Sequence, residues 1–156
     1  MSGLYNKPAA KELISEYLNM EDAYGVLYMI DIDDFKKVND SFGHEEGDAV
    51  IEYVARSLEG IFPSDAIISR AGGDEFLVYL KQVNDEDVIC EKAGEICIAF
   101  LDYSKIHEGV KITCSIGIVS CPQDGKDFDE FVRKVDEAMY HCKKNGKNSF
   151  LFYKDM

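Results

Sequence analysis

Acidic residues directly after an apolar run form the first segment of the chain that could do chemistry. The run covers residues 24–30 (YGVLYMI) and is followed by Asp31, Asp33 and Asp34. A continuous apolar run of this length predicts a buried strand. Because the sheet would hold the end of such a strand in place, carboxylates at this point are well suited to bind a hard cation such as Mg²⁺.

A second acidic segment, Gly72-Gly73-Asp74-Glu75, stands between two strand-like runs, Ala66 to Arg70 and Phe76 to Leu80. We interpret it as the turn of a β-hairpin whose glycines adopt positive φ. Residues without side chains also let a phosphate chain approach the backbone amides. If the hairpin lies beside the first strand, Asp31 and Asp74 converge, and with triphosphate oxygens they would form a Mg²⁺ site. Two metal ions about 3.5–4 Å apart would suit in-line attack at phosphorus.

Solvated turns in an acidic protein contain the same residue types, because glycine and aspartate both favour turns. The chemistry of the residues alone therefore leaves two interpretations open for both segments. They form either a metal-nucleotide site or two ordinary surface turns.

Apolar periodicity predicts the elements that must position these residues. The predicted helices cover residues 8–18, 33–41, 48–61, 85–107 and 128–145, and the predicted strands cover residues 24–30, 66–70, 76–80, 111–120 and 149–153. Gly146 follows the last helix, at a position that favours left-handed geometry. This order mixes hairpins with crossovers, so we predict an α+β fold with a central, mostly antiparallel sheet flanked by helices. The 156 residues are expected to form a single domain.

Charge and composition exclude several functions. The net charge of −13, from 30 acidic and 17 basic residues, argues against binding a nucleic acid polymer, which requires Lys and Arg at the phosphates. No apolar leader and no run of about 20 apolar residues is present, so we expect a cytoplasmic protein with no membrane span in this segment. The five cysteines contain no C-x-x-C pair, and we predict free thiols buried as small apolar side chains.

Five motifs in the same order resemble the GGDEF family of diguanylate cyclases. They are Asp31 to Asp40 (DIDDFKKVND), Gly43 to Asp48 (GHEEGD), Arg70 to Phe76 (RAGGDEF), Ser115 to Gly117 (SIG), and the closing pair Asp136 to Tyr140 (DEAMY) with Gly146 to Asn148 (GKN). The resemblance extends from Gly3-Leu4 to Tyr153. It implies the ferredoxin-like palm fold that nucleotidyl cyclase catalytic domains share with polymerases.

The resemblance also implies a reaction. In the family each domain binds one GTP, and two domains face each other as a transient homodimer to make cyclic di-GMP and two pyrophosphates. Carried onto this chain, it implies Mg²⁺ (or Mn²⁺), two ions per GTP, held by Asp31, Asp74 and the Ile32 carbonyl. Asp74 and Glu75 would be the catalytic residues, with Asp74 assisting deprotonation of the attacking 3′-hydroxyl.

Asn39 and Asp48 match the family positions that bind the guanine edge. Guanine presents N–H donors that a carboxylate accepts, and adenine lacks this pattern. Structural roles are open for both residues, because Asn39 could end one helix and Asp48 could cap the next.

The resemblance assigns phosphate binding to Lys36, Lys143 and Lys147 together with Gly72 and Gly73. Lys147 stands where arginine is usual, and lysine keeps the charge but loses the bidentate geometry of a guanidinium group. Solvated surface lysines are the alternative interpretation.

Three further departures from the family pattern concern regulation and activity. Ala71 replaces a larger residue before the glycines. The product-inhibition motif R-x-x-D would fall at Pro63 and Ala66, so we expect no such site. The sensory domain that usually precedes this domain is missing from the sequence, and we expect a catalytic module excised from a longer protein.

Three functions remain after this comparison of residues. The occupied catalytic positions favour an active GTP-condensing enzyme. A GTP-binding signalling module without turnover is the alternative, which Ala71 and Lys147 leave open. A plain interaction domain would require the retained acids to be coincidental.

We predict that Asp48→Ala weakens discrimination between GTP and ATP, because the variant loses the carboxylate that would accept hydrogen bonds from guanine. Competition binding of the two nucleotides measures this effect. Unaltered selectivity would contradict the guanine-binding role of Asp48.

Overall fold

The computed structural model describes residues 4–156, which form a six-stranded sheet covered by five helices. The strands are β1 (Tyr5–Asn6), β2 (Gly25–Ile32), β3 (Ile67–Arg70), β4 (Glu75–Lys81), β5 (Cys114–Cys121) and β6 (Ser149–Phe152). The helices are α1 (Lys7–Leu18), α2 (Phe35–Phe42), α3 (His44–Ile61), α4 (Glu86–Ile106) and α5 (Phe128–Lys144), and a short 3₁₀ turn covers Tyr153–Asp155. The strand order is β1-β3-β4-β2-β5-β6.

Strand β2 lies in the middle of the sheet, between β4 and β5, and all eight of its residues are buried. Its pairings with β4 and β5 are antiparallel, as is the β3–β4 hairpin, whereas β1–β3 and β5–β6 are parallel. This arrangement confirms the predicted α+β fold with a mostly antiparallel sheet. It also explains the continuous apolar run, because a strand covered on both faces cannot alternate polar and apolar residues.

Apolar side chains of the sheet form a core on each face. On one face, Val26, Tyr28 and Ile30 of β2 pack with residues of α3 and α4. On the other face, Leu27 and Met29 pack with residues of α1 and α5. The strand ends at Ile32, so the acidic residues that follow it leave the sheet at a point that both cores hold in place.

Helix α3 begins four residues earlier than the predicted start at Asp48. Gly43, with φ 87°, separates α2 from α3, and His44 is the first helical residue. Glu45 and Glu46 in the first turn interact favourably with the helix dipole. The capping interpretation of Asp48 is therefore wrong. The interpretation of Asn39 as a helix end is also wrong, since α2 continues to Phe42.

Most remaining element predictions are confirmed to within a few residues. The strand predicted from Lys111 starts at Cys114, and the two-residue strand β1 was too short to be recognised in the sequence. Gly146 has φ 106°, as its position after α5 predicts. The five cysteines are free thiols, but the prediction that they are buried holds only for Cys114, Cys121 and Cys142, since Cys90 and Cys97 are partly exposed. Within residues 4–156, no helix has both the length and the apolar character needed to cross a membrane.

Gly117 marks the closest approach of α5 to β5, and it generates a prediction for stability. A Cβ atom at this position would lie 2.2 Å from the Val135 carbonyl oxygen and 2.8 Å from the Met139 nitrogen. Because backbone atoms of a packed helix cannot move away freely, we expect Gly117→Ala to lower the free energy of unfolding by about 3 kcal/mol. Denaturant unfolding measures this change.

Gly60→Ala is the matched control. Gly60 lies in α3, and a Cβ atom there would meet nothing within 4 Å. Alanine should therefore be neutral or stabilise the helix by up to about 1 kcal/mol. Equal effects of the two substitutions would contradict the close α5–β5 contact.

Candidate active site at the end of strand β2

Asp31 is the one acidic residue of β2, and it lies beside the glycine turn. Its register partners are Glu75 on β4 and Ser115 on β5. One residue further, the Ile32 amide donates to the Asp74 carbonyl oxygen at 3.1 Å. The hairpin therefore does lie beside the first strand, and the structure brings Asp31, Asp74 and Glu75 together as the sequence predicts.

The side chain of Lys143, on α5, forms ion pairs with this acidic cluster. Its Nζ lies 2.7 Å from Asp31 Oδ2 and 3.3 Å from Asp33 Oδ1. The other carboxylate oxygen of Asp31, Oδ1, is buried and has no hydrogen-bond partner among the described residues. A buried carboxylate oxygen without a donor is unfavourable, so Asp31 is suited to accept a ligand that supplies positive charge.

The pKa shifts of the cluster reflect burial and crowded negative charge. Burial raises the pKa of Asp31 to about 7, the nearby Asp74 carboxylate adds to the rise, and Lys143 opposes it. Burial together with the charges of Asp74 and Asp136 raises the pKa of Glu75. Carboxylates that are hard to ionise together are stabilised by a bound cation, which favours their joint ionised form.

Asp33 is the structural centre of the site, a role that reading the sequence did not identify. Its carboxylate accepts hydrogen bonds from Thr113 Oγ1 at 2.7 Å, Ser115 Oγ at 2.7 Å and the Asn148 amide at 3.1 Å, as well as from Lys143. Its own amide donates to the Thr113 carbonyl oxygen at 2.9 Å. Asp33 therefore joins the end of β2 to β5 and to the loop before β6, and it has little capacity left for a metal ion. The motif residues Ser115 and Asn148 were the available signal in the sequence.

The loop between α5 and β6 is bound to the segment after β2 by charge. Lys147 Nζ lies 2.8 Å from Asp34 Oδ1, and this hydrogen bond lowers the pKa of Asp34. Lys147 and Asn148 have φ of 60° and 46°, and Asp34 has φ of 56°. Side chains rarely adopt this left-handed conformation. The contacts between Lys147 and Asp34 and between Asn148 and Asp33 hold it in place.

The expectation of positive φ at the two glycines of the hairpin turn is wrong, since neither has it. A Cβ atom at Gly73 would meet nothing within 4 Å, and one at Gly72 would make only ordinary contacts with Glu75. Arg70 shapes the turn by donating to the Gly72 and Gly73 carbonyl oxygens at 3.2 and 2.7 Å. The chain itself therefore does not require glycine at these positions. Two exposed glycines instead suit a ligand that approaches the backbone closely.

Asn39 and Asp48 lie on two helices, α2 and α3, that are in close contact. A Cβ atom on Gly47 would lie 1.9 Å from Asn39 Oδ1, so glycine at this position lets the Asn39 amide pack onto the first turns of α3. Asp48 follows Gly47 and is exposed. The structure thus places the two predicted guanine-binding residues on adjacent helices.

The other predicted phosphate-binding lysine, Lys36, is exposed on the first turn of α2 and forms no ion pair with the described residues. Pro63 and Ala66 lie between α3 and β3, where they line a shallow groove with Tyr5 and Ile68. Neither Pro63 nor Ala66 has a charged side chain that could bind a phosphate.

A divalent cation fits the residues at the end of β2 only if a ligand shares it. Within residues 4–156, no group of three or more His, Cys, Asp or Glu side chains is arranged to hold a metal ion. The available protein ligands are Asp31, Asp74 and the Ile32 carbonyl. Mg²⁺ is commonly bound by one or two carboxylates with phosphate oxygens and water completing its shell, and the unpartnered Asp31 Oδ1 is consistent with that arrangement.

The chain is similar to known proteins over nearly its whole length. The family model described as "Diguanylate cyclase, GGDEF domain" matches residues 1–149. The chain is 33% identical to signaling protein YkoW of Bacillus subtilis over 98% of its length, and 33% identical to diguanylate cyclase DgcZ of Escherichia coli over 97%. It spans 20% of YkoW and 52% of DgcZ.

A solved structure shares the fold over nearly the whole chain. The GGDEF domain of PA1120 (TpbB or YfiN) from Pseudomonas aeruginosa superimposes with a TM-score of 0.88 at 26% identity. The match covers 96% of this chain and 90% of that one.

The contacts of Asp33 generate a prediction for stability. Ser115→Ala removes one donor from a buried carboxylate, and we expect the free energy of unfolding to fall by about 1.5–3 kcal/mol. Ser120→Ala, on the same strand, is the control, because the hydrogen bond recorded for Ser120 comes from its backbone amide, not its hydroxyl. Urea unfolding of both variants measures the difference, and an equal loss would contradict the central role of Asp33.

Proposed function

Because the chain belongs to the family of diguanylate cyclase GGDEF domains, we propose that it condenses two GTP molecules into cyclic di-GMP and two pyrophosphates. The single observation that carries this proposal is the buried Asp31 carboxylate beside Asp74, with one oxygen that has no donor among the described residues. In a surface turn both carboxylates would be solvated. Here Asp31 is held beside Asp74 with its carboxylate buried, and a nucleotide-bound cation would offset the cost of that burial.

The end of β2 would hold the divalent ions. Asp31, Asp74 and the Ile32 carbonyl are the proposed ligands, with two Mg²⁺ or Mn²⁺ ions per GTP. Bound there, the ions would neutralise the phosphates and lower the pKa of the attacking hydroxyl group. Asp33 would act as a positioning residue, because its hydrogen bonds to Thr113 and Ser115 hold the turn that follows Asp31.

The glycine turn would bind the triphosphate. The amides of Gly73 and Asp74 donate to no acceptor among the described residues, so they are free to donate to phosphate oxygens. Lys143 is already next to Asp31, and we propose that it moves from the carboxylates to a phosphate when cations occupy the site. Lys36 and Lys147 are the further phosphate-binding residues that we propose.

The guanine base would lie against α2 and α3. Asn39 would contact the base edge from α2, and Asp48 would accept its N–H donors. The base and the metal ions would thus be bound by residues at different positions along the chain from β2 to α3. Binding at both ends would hold the nucleotide in one orientation, which favours the reaction because the nucleotide has already lost its rotational freedom.

The reaction joins the 3′-oxygen of each GTP to the α-phosphorus of the other. Each new P–O bond replaces the bond to the departing pyrophosphate, and the 3′-hydroxyl proton leaves through Asp74 or Glu75. One chain binds one GTP, so we propose that two chains face each other as a transient homodimer. The rate should therefore rise faster than linearly with protein concentration.

The alternative is a module that binds GTP without turning it over. The observation in its favour is that Lys143 and Lys147, two of the three proposed phosphate-binding lysines, form ion pairs with carboxylates of the protein. If these pairs persist with nucleotide, the triphosphate would be bound less tightly. GTP binding without Mg²⁺-dependent release of pyrophosphate would identify this alternative.

We predict that Asp74→Asn lowers turnover by about two orders of magnitude or more, because it removes charge where metal ions and the attacking hydroxyl must be stabilised. Cyclic di-GMP formation from GTP and Mg²⁺, followed over a range of protein concentrations, measures this loss. Asp102→Asn is the control, since Asp102 is exposed on α4. Unchanged activity of Asp74→Asn would contradict the assigned role of Asp74.

A further inference from the structure

Two cysteines face each other behind the acidic site. Cys97 of α4 and Cys114 of β5 have their Sγ atoms 3.6 Å apart, within hydrogen-bonding distance for thiols. Cys114 is fully buried, whereas Cys97 is only partly buried. The pair therefore combines a partly exposed residue with a buried one.

Cys114 lies directly among the residues that hold Asp33. It stands between Thr113 and Ser115, whose hydroxyls donate to the Asp33 carboxylate. Across the sheet its register partner is Ile32. A displacement of Cys114 would therefore act on both sides of the turn that follows Asp31.

We propose that Cys97 and Cys114 form a redox modification site, in which a peroxide oxidises the pair to an intramolecular disulfide and thereby weakens the acidic site. The first step forms an S–O bond at Cys97 and breaks the O–O bond of hydrogen peroxide, giving a sulfenic acid and water. The Cys114 sulfur then attacks the Cys97 sulfur, and the S–O bond breaks with release of a second water. The two thiols lose two electrons in total, and the peroxide gains them.

Cys97 is the residue that meets the oxidant. It is the more exposed of the two, and the hydrogen bond with Cys114 lowers the pKa of the Cys97 thiol, which favours the reactive thiolate. Burial raises the pKa of the other three thiols, Cys90, Cys121 and Cys142. Cys142 is further occupied by a hydrogen bond to the Ile116 carbonyl oxygen at 3.5 Å. Cys114 is therefore the partner that the geometry selects.

Disulfide formation would replace a thiol contact between α4 and β5 by a covalent bond. An S–S bond is about 2.05 Å long, so the sulfur atoms have to approach by about 1.5 Å from their separation of 3.6 Å. Ser104 already ties α4 to the chain just before β5, because its hydroxyl contacts both the amide and the carbonyl of Ile112. Movement at Cys97 would therefore reach Thr113 and Ser115 through the new disulfide and through the hydrogen bonds between Ser104 and Ile112.

The expected consequence rests in part on the proposed function. A carboxylate network that supports metal ligands affects metal affinity by about 10- to 100-fold when one member is disturbed. We expect the oxidised chain to bind Mg²⁺-GTP about tenfold more weakly than the reduced chain, with recovery on reduction by dithiothreitol.

Peptide mapping after hydrogen peroxide treatment of the full chain tests the modification itself. We expect one disulfide joining Cys97 to Cys114, with the remaining three cysteines free. The Cys97→Ser and Cys114→Ser variants should form no disulfide, and Cys90→Ser, also on α4, should form it as the unaltered chain does. A Cys97–Cys142 disulfide, a sulfinic acid at Cys97 with Cys114 free, or five intact thiols would each overturn the proposal.

Nuclear magnetic resonance of the nucleotide-free chain tests the coupling to the site independently of GTP. The amide resonances of Asp33 and Asn148, which report the carboxylate network, should shift on oxidation of the unaltered chain and of Cys90→Ser. They should not shift in Cys97→Ser. Unchanged resonances in a chain that contains the disulfide would overturn the coupling. Failure of the reduced chain to bind Mg²⁺-GTP would instead contradict the proposed function and leave these two tests of the thiol pair intact.

Discussion

The hydrogen-bonded carboxylate of Asp33 is the constraint on which the rest of the site depends. It accepts donors from Thr113, Ser115 and Asn148 as well as from Lys143, so it joins β2, β5, α5 and the loop before β6. A buried carboxylate tolerates this position only when its oxygens are satisfied. Because Asp33 takes up the available hydroxyl groups, Asp31 two residues earlier retains an oxygen that none of the described residues satisfies. One acid is thereby structural, and its neighbour is available for a ligand.

The glycine turn contains glycines that the fold itself does not require. Neither φ nor local packing demands glycine at positions 72 and 73, whereas packing does demand it at Gly117 and Gly47. Arg70 holds the turn through the carbonyl oxygens, and the Gly73 and Asp74 amides donate to no acceptor among the described residues. The missing side chains leave the backbone of this turn open to a ligand, and free backbone amides are well suited to bind anions such as phosphate.

The hydrogen bonds to Asp33 explain why oxidation of a thiol pair outside the acidic cluster would affect that cluster. Cys114 stands between Thr113 and Ser115, two of the donors to Asp33, and faces α4 through Cys97. Interiors packed to this degree transmit small displacements because they have few empty spaces to absorb them. The location of the pair, directly behind the donors, distinguishes it from the other cysteines of the chain.

The sequence by itself predicted most of the elements and named the candidate site residues. The apolar run of β2, the periodicity of the long helices and the acidic turn are local patterns, and local patterns report local structure. The sequence predicts too late a start for α3, because Gly43 and Gly47 weaken the helical signal there. In the structure, the contact with Asn39 accommodates Gly47 inside the helix. Only the tertiary structure decided that Asp33 binds donors 80 or more residues away while Asp31 keeps an oxygen without a partner in the described part of the chain. The two acids are chemically identical, and the strands that surround each side chain are what separate their roles.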